Sequence, residues 1–387
     1  MLYKYFKFIV VTIFADMKKG LKIFFKLCIL TFFFSTGTLN SQILRDTTSL
    51  NLLKKGIDYV YNFQFNEAEI IYKKIDESYP DHQIVMLFKG MLIYWQNYPL
   101  VPTSPACAPY EEVMHKCIDL CDKRSNSQDA TEILLTNLCA RGLLLQFYAD
   151  NDMSLEVFPL ATSTYPYVKH AFNNTSSYAD FYFFTGLYNY YREAYPEIHP
   201  IYKSLAFLFP KGDKLKGIKE MQIASKNSIV LKAESFSFLS GIYLNYENNF
   251  NKAAFYSNAL TDLYPGNLLY LGEYIKNTLL IKKYDEAEKL IRYNAGKSSN
   301  TFFEGQLSIF SGIIQEKKYH DNSKAEQLYN KGIRAISLYG DYGNEYMAYG
   351  YFGLSRISHD VGEKHYKRTY RKLALKMAAN KKNDFDN

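Results

Sequence analysis

Residues 52–81 read LLKKGIDYVYNFQFNEAEIIYKKIDESYPD, and this stretch carries the clearest structural pattern of the chain. Apolar residues recur at intervals of three or four positions on both sides of a central polar segment, as they do on one face of an α-helix. Pro80 follows the second half, and proline cannot continue a helix. The stretch therefore predicts two amphipathic helices that fold back on each other as a hairpin.

Small residues stand where the two predicted helices would cross. Gly56 is followed one turn later by Tyr59, and Ala68 is followed by Tyr72. Helix axes approach closely only where the intervening side chains are small, while large neighbours fill the remaining space. Together with Pro80, this spacing resembles the tetratricopeptide repeat, a helical hairpin of about 34 residues.

The same pattern returns downstream. Residues 237–267, SFLSGIYLNYENNFNKAAFYSNALTDLYPGN, keep the intervals of the first copy, and two less complete copies follow. The packing residues in these copies are Gly241, Ala253, Pro265, Ala287, Gly312 and Ala325. Glycines that indicate further first helices are Gly90, Gly142, Gly186 and Gly353. About eight stacked hairpins result, so the resemblance implies an all-α, right-handed α-solenoid over residues 42–387.

Two proline-rich insertions interrupt the repeats, at residues 96–109 and 193–214. Around the second insertion, residues 186–221 resemble the tetratricopeptide-39 family and its fungal inclusion-body-clearance relatives. The residues that carry this resemblance are Gly186, Pro200, Gly212, Asp213 and Gly217. The resemblance supports the helical fold and implies no chemistry.

Residues 1–41 predict a signal peptide. A lysine-rich start precedes the apolar run Leu27–Phe34, and small or polar residues follow it. Because Met17 begins this pattern better than Met1 does, we expect the true start at Met17. The alternative is a retained N-terminal anchor. A signal peptide predicts export to the periplasm or the outer membrane.

The net charge of +7 is concentrated at the two ends of the chain. Residues 1–41 hold six Lys against Asp16, and the last 27 residues hold eight Lys or Arg against three acids. The acidic remainder offers no general basic surface for nucleic acid. Basic residues 361–382 predict an amphipathic helix that caps the solenoid. The alternative is peripheral attachment of this helix to anionic lipid.

Four cysteines follow the leader, and in an exported chain an even number permits disulfides. Cys117 and Cys139 are predicted on consecutive antiparallel helices at similar distances from the turn, so they could form a bridge. Buried free thiols are the alternative that we favour. The spacing does not resemble a zinc site.

Enzymatic motifs are missing from the sequence. It contains no H-E-x-x-H, no G-x-S-x-G and no phosphate-binding loop. We therefore predict a non-catalytic protein without a cofactor or metal, and an enzyme with an unrecognised site is a third hypothesis after the two binding functions below.

One set of aromatic residues recurs five positions after the crossing glycines. Its members are Tyr61, Trp95, Phe147, Tyr191 and Tyr246. In proteins of this resemblance that place lies near the concave surface where peptides dock, which predicts a scaffold for a protein or peptide partner in the cell envelope. The alternative function is glycan binding in an outer-membrane uptake system, by stacking on the rings. We favour a different interpretation over both binding functions, in which these rings pack between adjacent first helices.

Overall fold

The computed structural model describes residues 42–124, 129–198, 209–378 and 385, and this part of the chain contains helices and no strand. The predicted signal peptide and Pro200 lie outside the described residues. The helices are α1 (Thr47–Tyr61), α2 (Phe65–Ser78), α3 (Gln83–Gln96), α4 (Cys107–Arg124), α5 (Ala130–Asp150), α6 (Ser154–Ala171), α7 (Phe181–Ile198), α8 (Lys214–Asn227), α9 (Lys232–Asn245), α10 (Phe250–Leu263), α11 (Leu268–Leu280), α12 (Tyr284–Asn294), α13 (Thr301–Lys317), α14 (Asn322–Ile336), α15 (Asn344–Asp360) and α16 (Lys364–Met377). A 3₁₀ helix, Ser337–Gly343, joins α14 to α15.

Odd-numbered helices are the first helices of successive hairpins, and each packs against the helix that follows it. The structure thereby confirms the predicted all-α solenoid of tetratricopeptide-like hairpins. Pro80 and Pro265 each lie two residues beyond the end of a second helix. At the start of α1, the Asp46 side chain accepts a hydrogen bond from the backbone N–H of Ser49 at 3.0 Å, which satisfies a donor that the helix leaves free.

Most of the repeat-packing residues lie in tight contacts. A Cβ atom on Gly56 would stand 2.5 Å from Cζ of Phe88, and one on Gly312 would stand 2.8 Å from the Tyr329 ring. The alanines of the pattern are fully buried, and Tyr72 is half-buried. These alanines are Ala68, Ala253, Ala287 and Ala325. Gly241 contradicts the prediction, because no atom lies within 4 Å of the position that its Cβ would occupy.

The array closes on itself. Tyr61, the last residue of α1, lies with its ring centroid 5.1 Å from that of Tyr264. The side chain of Asn267, 206 residues further along the chain, donates a hydrogen bond to the Tyr61 carbonyl at 3.0 Å. The backbone of Gly266 is so close to Asn62 that a Cβ would stand 2.3 Å from the Asn62 carbonyl oxygen. The first hairpin is thus joined to the turn between α10 and α11.

The first insertion makes a second bridge across the interior. Between α3 and α4 the chain buries Tyr98 and Leu100. The Tyr98 ring contacts the rings of Phe302 and Tyr342 at 6.2 and 6.3 Å. Its carbonyl accepts a hydrogen bond from Asn300 at 2.6 Å. The aromatic residues that join the two ends of the array are named the closure cluster: Tyr61, Trp95, Tyr98, Tyr264, Tyr270, Phe302 and Tyr342.

The second insertion begins later than predicted, because α7 continues through residue 193 to Ile198 with Pro196 in its last turn. Residues 199–208 lie outside the described part. Beyond them, the Asp213 side chain caps α8 by accepting from the N–H of Lys216 at 2.9 Å. Gly186 and Gly217 face each other across α7 and α8, since a Cβ on Gly217 would stand 2.7 Å from the Gly186 carbonyl oxygen.

The basic C-terminal helix is α16, which occupies Lys364–Met377 within the predicted range 361–382. It packs on α15, where Ala374 forms a small buried cluster with Ala348 and Phe352. Its basic side chains are largely exposed. Helix α16 is thus the second helix of the last described hairpin, and both the capping role and attachment to lipid stay predictions.

Candidate functional site

A cavity of about 890 Å³ lies in the interior beside the closure cluster, and Tyr61 of that cluster borders it. Side chains of α1, α3, α5, α6, α7 and α9 line it, and most of them are aliphatic or aromatic. Representative lining residues are Leu53, Ile84, Leu143, Phe184 and Leu231. Its size and apolar lining are those of small-molecule sites, which commonly occupy about 300–1,000 Å³.

Small residues on two first helices create this space. A Cβ on Gly142 of α5 would have its nearest neighbour, the Phe184 ring, at 3.9 Å, and Gly241 of α9 faces open space. Ala149, near the end of α5, is exposed to the cavity. The two glycines thus contribute volume to the cavity, whereas Gly56 and Gly312 bring helices together.

Three residues of the predicted aromatic set are core residues. Tyr61, Trp95 and Phe147 are 1%, 6% and 0% exposed. Their rings pack against each other or against neighbouring tyrosines, with Tyr61 and Trp95 at 5.6 Å and Phe147 and Tyr110 at 5.3 Å. A peptide or sugar on the surface could not reach these three rings, so packing is their role in this structure.

Tyr191 and Tyr246, the other two members, are half-buried and contact each other with ring centroids 5.3 Å apart. Tyr191 also lines the cavity. The structure therefore does not bring the predicted set together as one ladder. Tyr61 and Tyr191 both border the cavity, but Tyr61 is almost fully buried there, whereas Tyr191 is half-buried.

Arg192 is one of three charged residues among the described lining residues, with Asp150 and Glu234. Its guanidinium is already occupied: Nε and Nη2 donate to the Phe209 carbonyl at 3.3 and 3.0 Å, and Nη1 pairs with Glu193 at 3.1 Å. Arg192 thus holds the chain at Phe209 beside the cavity and is neutralised there.

Glu234, near the start of α9, bridges to the first hairpin. The Tyr61 hydroxyl donates a hydrogen bond to its Oε1 atom, while Oε2 is buried without a hydrogen-bond partner. Burial raises the pKa of Glu234 to about 8. Glu234 is therefore mainly protonated at neutral pH and serves as a contact of the closed array.

Asp150, the last residue of α5, lines the cavity. Its side chain is accessible from the cavity, but the surrounding protein encloses it. The pKa of Asp150 is raised to about 7, mainly because this enclosure disfavours the charged form. A hydrogen bond with Gln146 lowers the pKa, whereas the nearby carboxylates of Glu345 and Glu273 raise it. The amine of Lys276 is already engaged with Glu273 at 2.7 Å and Glu345 at 3.3 Å. The Asp150 end of the cavity is consequently acidic.

Helix α6 forms one wall of the cavity, and two large apolar side chains on this helix are exposed. Leu155 is 87% and Phe158 is 62% exposed, and Phe158 also lines the cavity. Further along α6, the ring of Tyr165 packs between those of Tyr188 and Phe209, at 5.8 and 4.8 Å. Packed aromatic rings thus border the cavity at Tyr165, whereas an exposed apolar side chain borders it at Phe158.

The bridge between Cys117 and Cys139 is not formed, and the cysteines of the described chain are buried free thiols. The Cys117 thiol donates to the Gln83 carbonyl at 3.2 Å. A hydrogen bond with Cys121 and burial both raise the pKa of Cys117. Each thiol is thus accommodated as a small core residue.

The described residues contain no group of three His, Cys, Asp or Glu side chains placed to hold a metal ion. Among the described helices, none has the length and apolar character needed to cross a bilayer.

Comparison with known proteins finds similar chains among the solved structures. No family model matches the chain, including one for the tetratricopeptide-39 family, and no curated protein is significantly similar to it. The crystal structure of yeast Tom70 is similar with 13% identity over 88% of this chain and 94% of the Tom70 chain, at a TM-score of 0.24.

Proposed function

We propose that this protein is an exported, non-catalytic helical-repeat protein of the cell envelope that binds an apolar ligand in its interior cavity. The observation that supports binding is the apolar cavity of about 890 Å³, bordered by glycines at positions where tight helix contacts were expected. The N-terminal leader supports export. Burial of the ligand's apolar surface would supply the driving force.

A fluorescence titration with diphenylhexatriene, an uncharged apolar probe, tests this proposal. The wild-type protein is expected to bind the probe saturably with one site per chain. Gly241→Leu and Gly142→Leu would fill the cavity and weaken binding at least tenfold, about 1.4 kcal/mol. Glu77→Leu, which adds the same side chain on the exposed surface of α2, is the control. Equal binding by all four proteins would contradict the proposal.

Recruitment of a protein or peptide partner is a second candidate function, favoured by the exposed apolar side chains of Leu155 and Phe158 on α6. A photo-crosslinking residue at position 155 should capture one defined envelope protein in intact cells, and Phe158→Ser should abolish the product. The same crosslinker at position 77 is the control. Capture at both positions would show that the contact is not specific.

Glycan binding is less well supported by the geometry. Stacking on a sugar requires an accessible ring face, and Tyr61, Trp95 and Phe147 lack one. Tyr191 faces an apolar cavity with few polar partners for sugar hydroxyls. A glycan array probed with wild type and Tyr191→Ala would revive this function if it showed binding that the variant loses.

Export and membrane association need their own test. Fractionation of cells that produce the full chain should recover it in the envelope fraction, and recovery in the cytosol would contradict export. If the exposed basic side chains of α16 hold the protein on anionic lipid, high salt should release it. A protein that is already free of membranes in low salt would leave α16 with the capping role alone.

A further inference from the structure

The lining of the cavity restricts the chemistry of its ligand. An extended peptide would bring a backbone N–H and C=O at every residue, and each unpaired group costs free energy when it is buried. Polar lining groups are few, as exemplified by Thr136, Gln146 and Ser237. A hydrocarbon chain has no such requirement, so it fits this lining better than an extended peptide does.

The cavity follows α5 for most of its length. Lining residues on this helix extend from Leu135 to Asp150. Fifteen residues of α-helix span about 22 Å at about 1.5 Å per residue. His82 lies 3.5 Å from Glu132, which places the start of α3, with the lining residue Ile84, beside the Leu135 end. The other end carries the carboxyl group of Asp150. This polarity suits a long molecule with one apolar and one polar end.

The polar end is acidic and accessible. Arg192 is neutralised by Glu193, and Glu234 accepts from Tyr61 through Oε1 while its Oε2 is buried out of reach. Asp150 is exposed and is therefore the lining charge that a ligand can reach. Glu273 and Glu345 carry two negative charges against the one positive charge of Lys276, so their remaining negative charge adds to that of Asp150. A cationic or hydrogen-bond-donating group is stabilised at this place, while a carboxylate is repelled.

We infer that the cavity binds a long-chain amphiphile with a single alkyl chain, whose amine or hydroxyl head donates a hydrogen bond to Asp150. This inference rests on the proposed function and adds the ligand class and its orientation. The chain lies along α5 toward Leu53, Ile84 and Leu135. Asp150 is then the residue that selects the head group.

The test is displacement of bound diphenylhexatriene at pH 7.5 by dodecylamine, dodecanol and dodecanoate, each below its aggregation concentration. Wild-type protein should bind the amine at least tenfold more tightly than the carboxylate, with the alcohol between them, about 1.4 kcal/mol between the extremes. Asp150→Asn should reduce the ratio of amine to carboxylate affinity to about threefold or less. Asp152→Asn, an exposed aspartate two residues away that does not line the cavity, should leave the ratio unchanged.

The outcomes separate the inference from the proposed function. If the carboxylate binds as tightly as the amine, or if Asp150→Asn keeps the wild-type ratio, the head-group assignment is overturned while the apolar site stands. If neither the probe nor any of the three amphiphiles binds, both fail. Circular dichroism and the urea midpoint of each variant establish that it is folded.

Discussion

The interior of the array is filled on one side and open on the other. On the filled side, Trp95 and Tyr98 of the closure cluster join the second hairpin to Tyr270 of the sixth, Phe302 of the seventh and Tyr342 of the 3₁₀ helix. On the open side, inward positions of α5 and α9 carry Gly142 and Gly241, and a cavity remains. Both sides are built from the same kind of hairpin, so side-chain volume at inward positions decides between closure and a binding site.

Glycine has two different structural roles in the array. Gly56 lies against the Phe88 ring and Gly312 against the Tyr329 ring, where any larger residue would push helices apart. Gly241 has the same sequence context, but a Cβ at this position would have no neighbour within 4 Å.

Removing a ring from the filled side should be the most destabilising change. Tyr270 is buried and contacts the rings of Tyr61, Tyr264 and Trp95. We expect Tyr270→Ala to lower the free energy of unfolding by about 3–5 kcal/mol, because it leaves a cavity in packed surroundings. Leu143→Ala, at the half-buried cavity wall, should cost about 1 kcal/mol. Urea unfolding measures both, and equal losses would contradict the distinction between the two sides.

Adding a methyl group at a tight contact should cost less. In Gly56→Ala the new Cβ would meet Phe88 at 2.5 Å and Ile71 at 2.8 Å, which forces the neighbours to move. Overpacking of this kind lowers the free energy of unfolding by about 1–3 kcal/mol. A neutral or stabilising effect in urea unfolding would show that these helices are not in close contact.

Replacing the protonated carboxyl of Glu234 should change the dependence of stability on pH. The raised pKa of about 8 means that the folded state holds a proton that the unfolded state releases above about 4.5. The contribution of Glu234 to the free energy of unfolding is therefore greatest at low pH and is lost as the pH rises from about 4.5 to 8. Because Glu234 is partly exposed, we expect its contribution to the free energy of unfolding to change by roughly 1.4 kcal/mol over this pH range, which corresponds to a shift of about one pKa unit.

Glu234→Gln keeps an acceptor for Tyr61 and cannot ionise. Its unfolding free energy relative to wild type should therefore increase between pH 5 and pH 8, as measured by urea unfolding at both values. A pH-independent difference would show that Glu234 is ionised in the folded protein.

The smallest expected effect is a gain. Gly241→Ala places a methyl group in open space and replaces the least favourable ordinary residue of a helix interior by the most favourable one. Unfolding free energy should rise by about 0.5–1 kcal/mol. Destabilisation comparable to that of Gly56→Ala would mean that Gly241 lies at a tight crossing after all.

The fold was predictable because its signal is local. The spacing of Gly56, Ala68 and Pro80 reports contacts within one hairpin, and the repetition of that spacing predicts a stack. Closure was not predictable, since Asn267 and Tyr61 are 206 residues apart and no local pattern shows that they meet. The same limit applies to the cavity, whose lining comes from six helices.

The aromatic set illustrates the limit at single residues. Alignment on the crossing glycines predicted a place near the concave surface for Tyr61, Trp95 and Phe147, but it could not show whether the space around these rings was open or filled. Asp150 was missed because a carboxylate at the end of a helix is usually solvated. Its special position depends on the surrounding array, which encloses it and places Glu273 and Glu345 nearby.

The central claim is that the interior is open between α5 and α9 and filled at the closure cluster. Xenon binds to empty apolar cavities, so crystals pressurised with xenon test it most directly. We predict xenon density beside Gly142 and Gly241 and none between Tyr98, Tyr270 and Phe302. Density within the closure cluster, or side chains of the protein filling the space beside Gly241, would contradict the account.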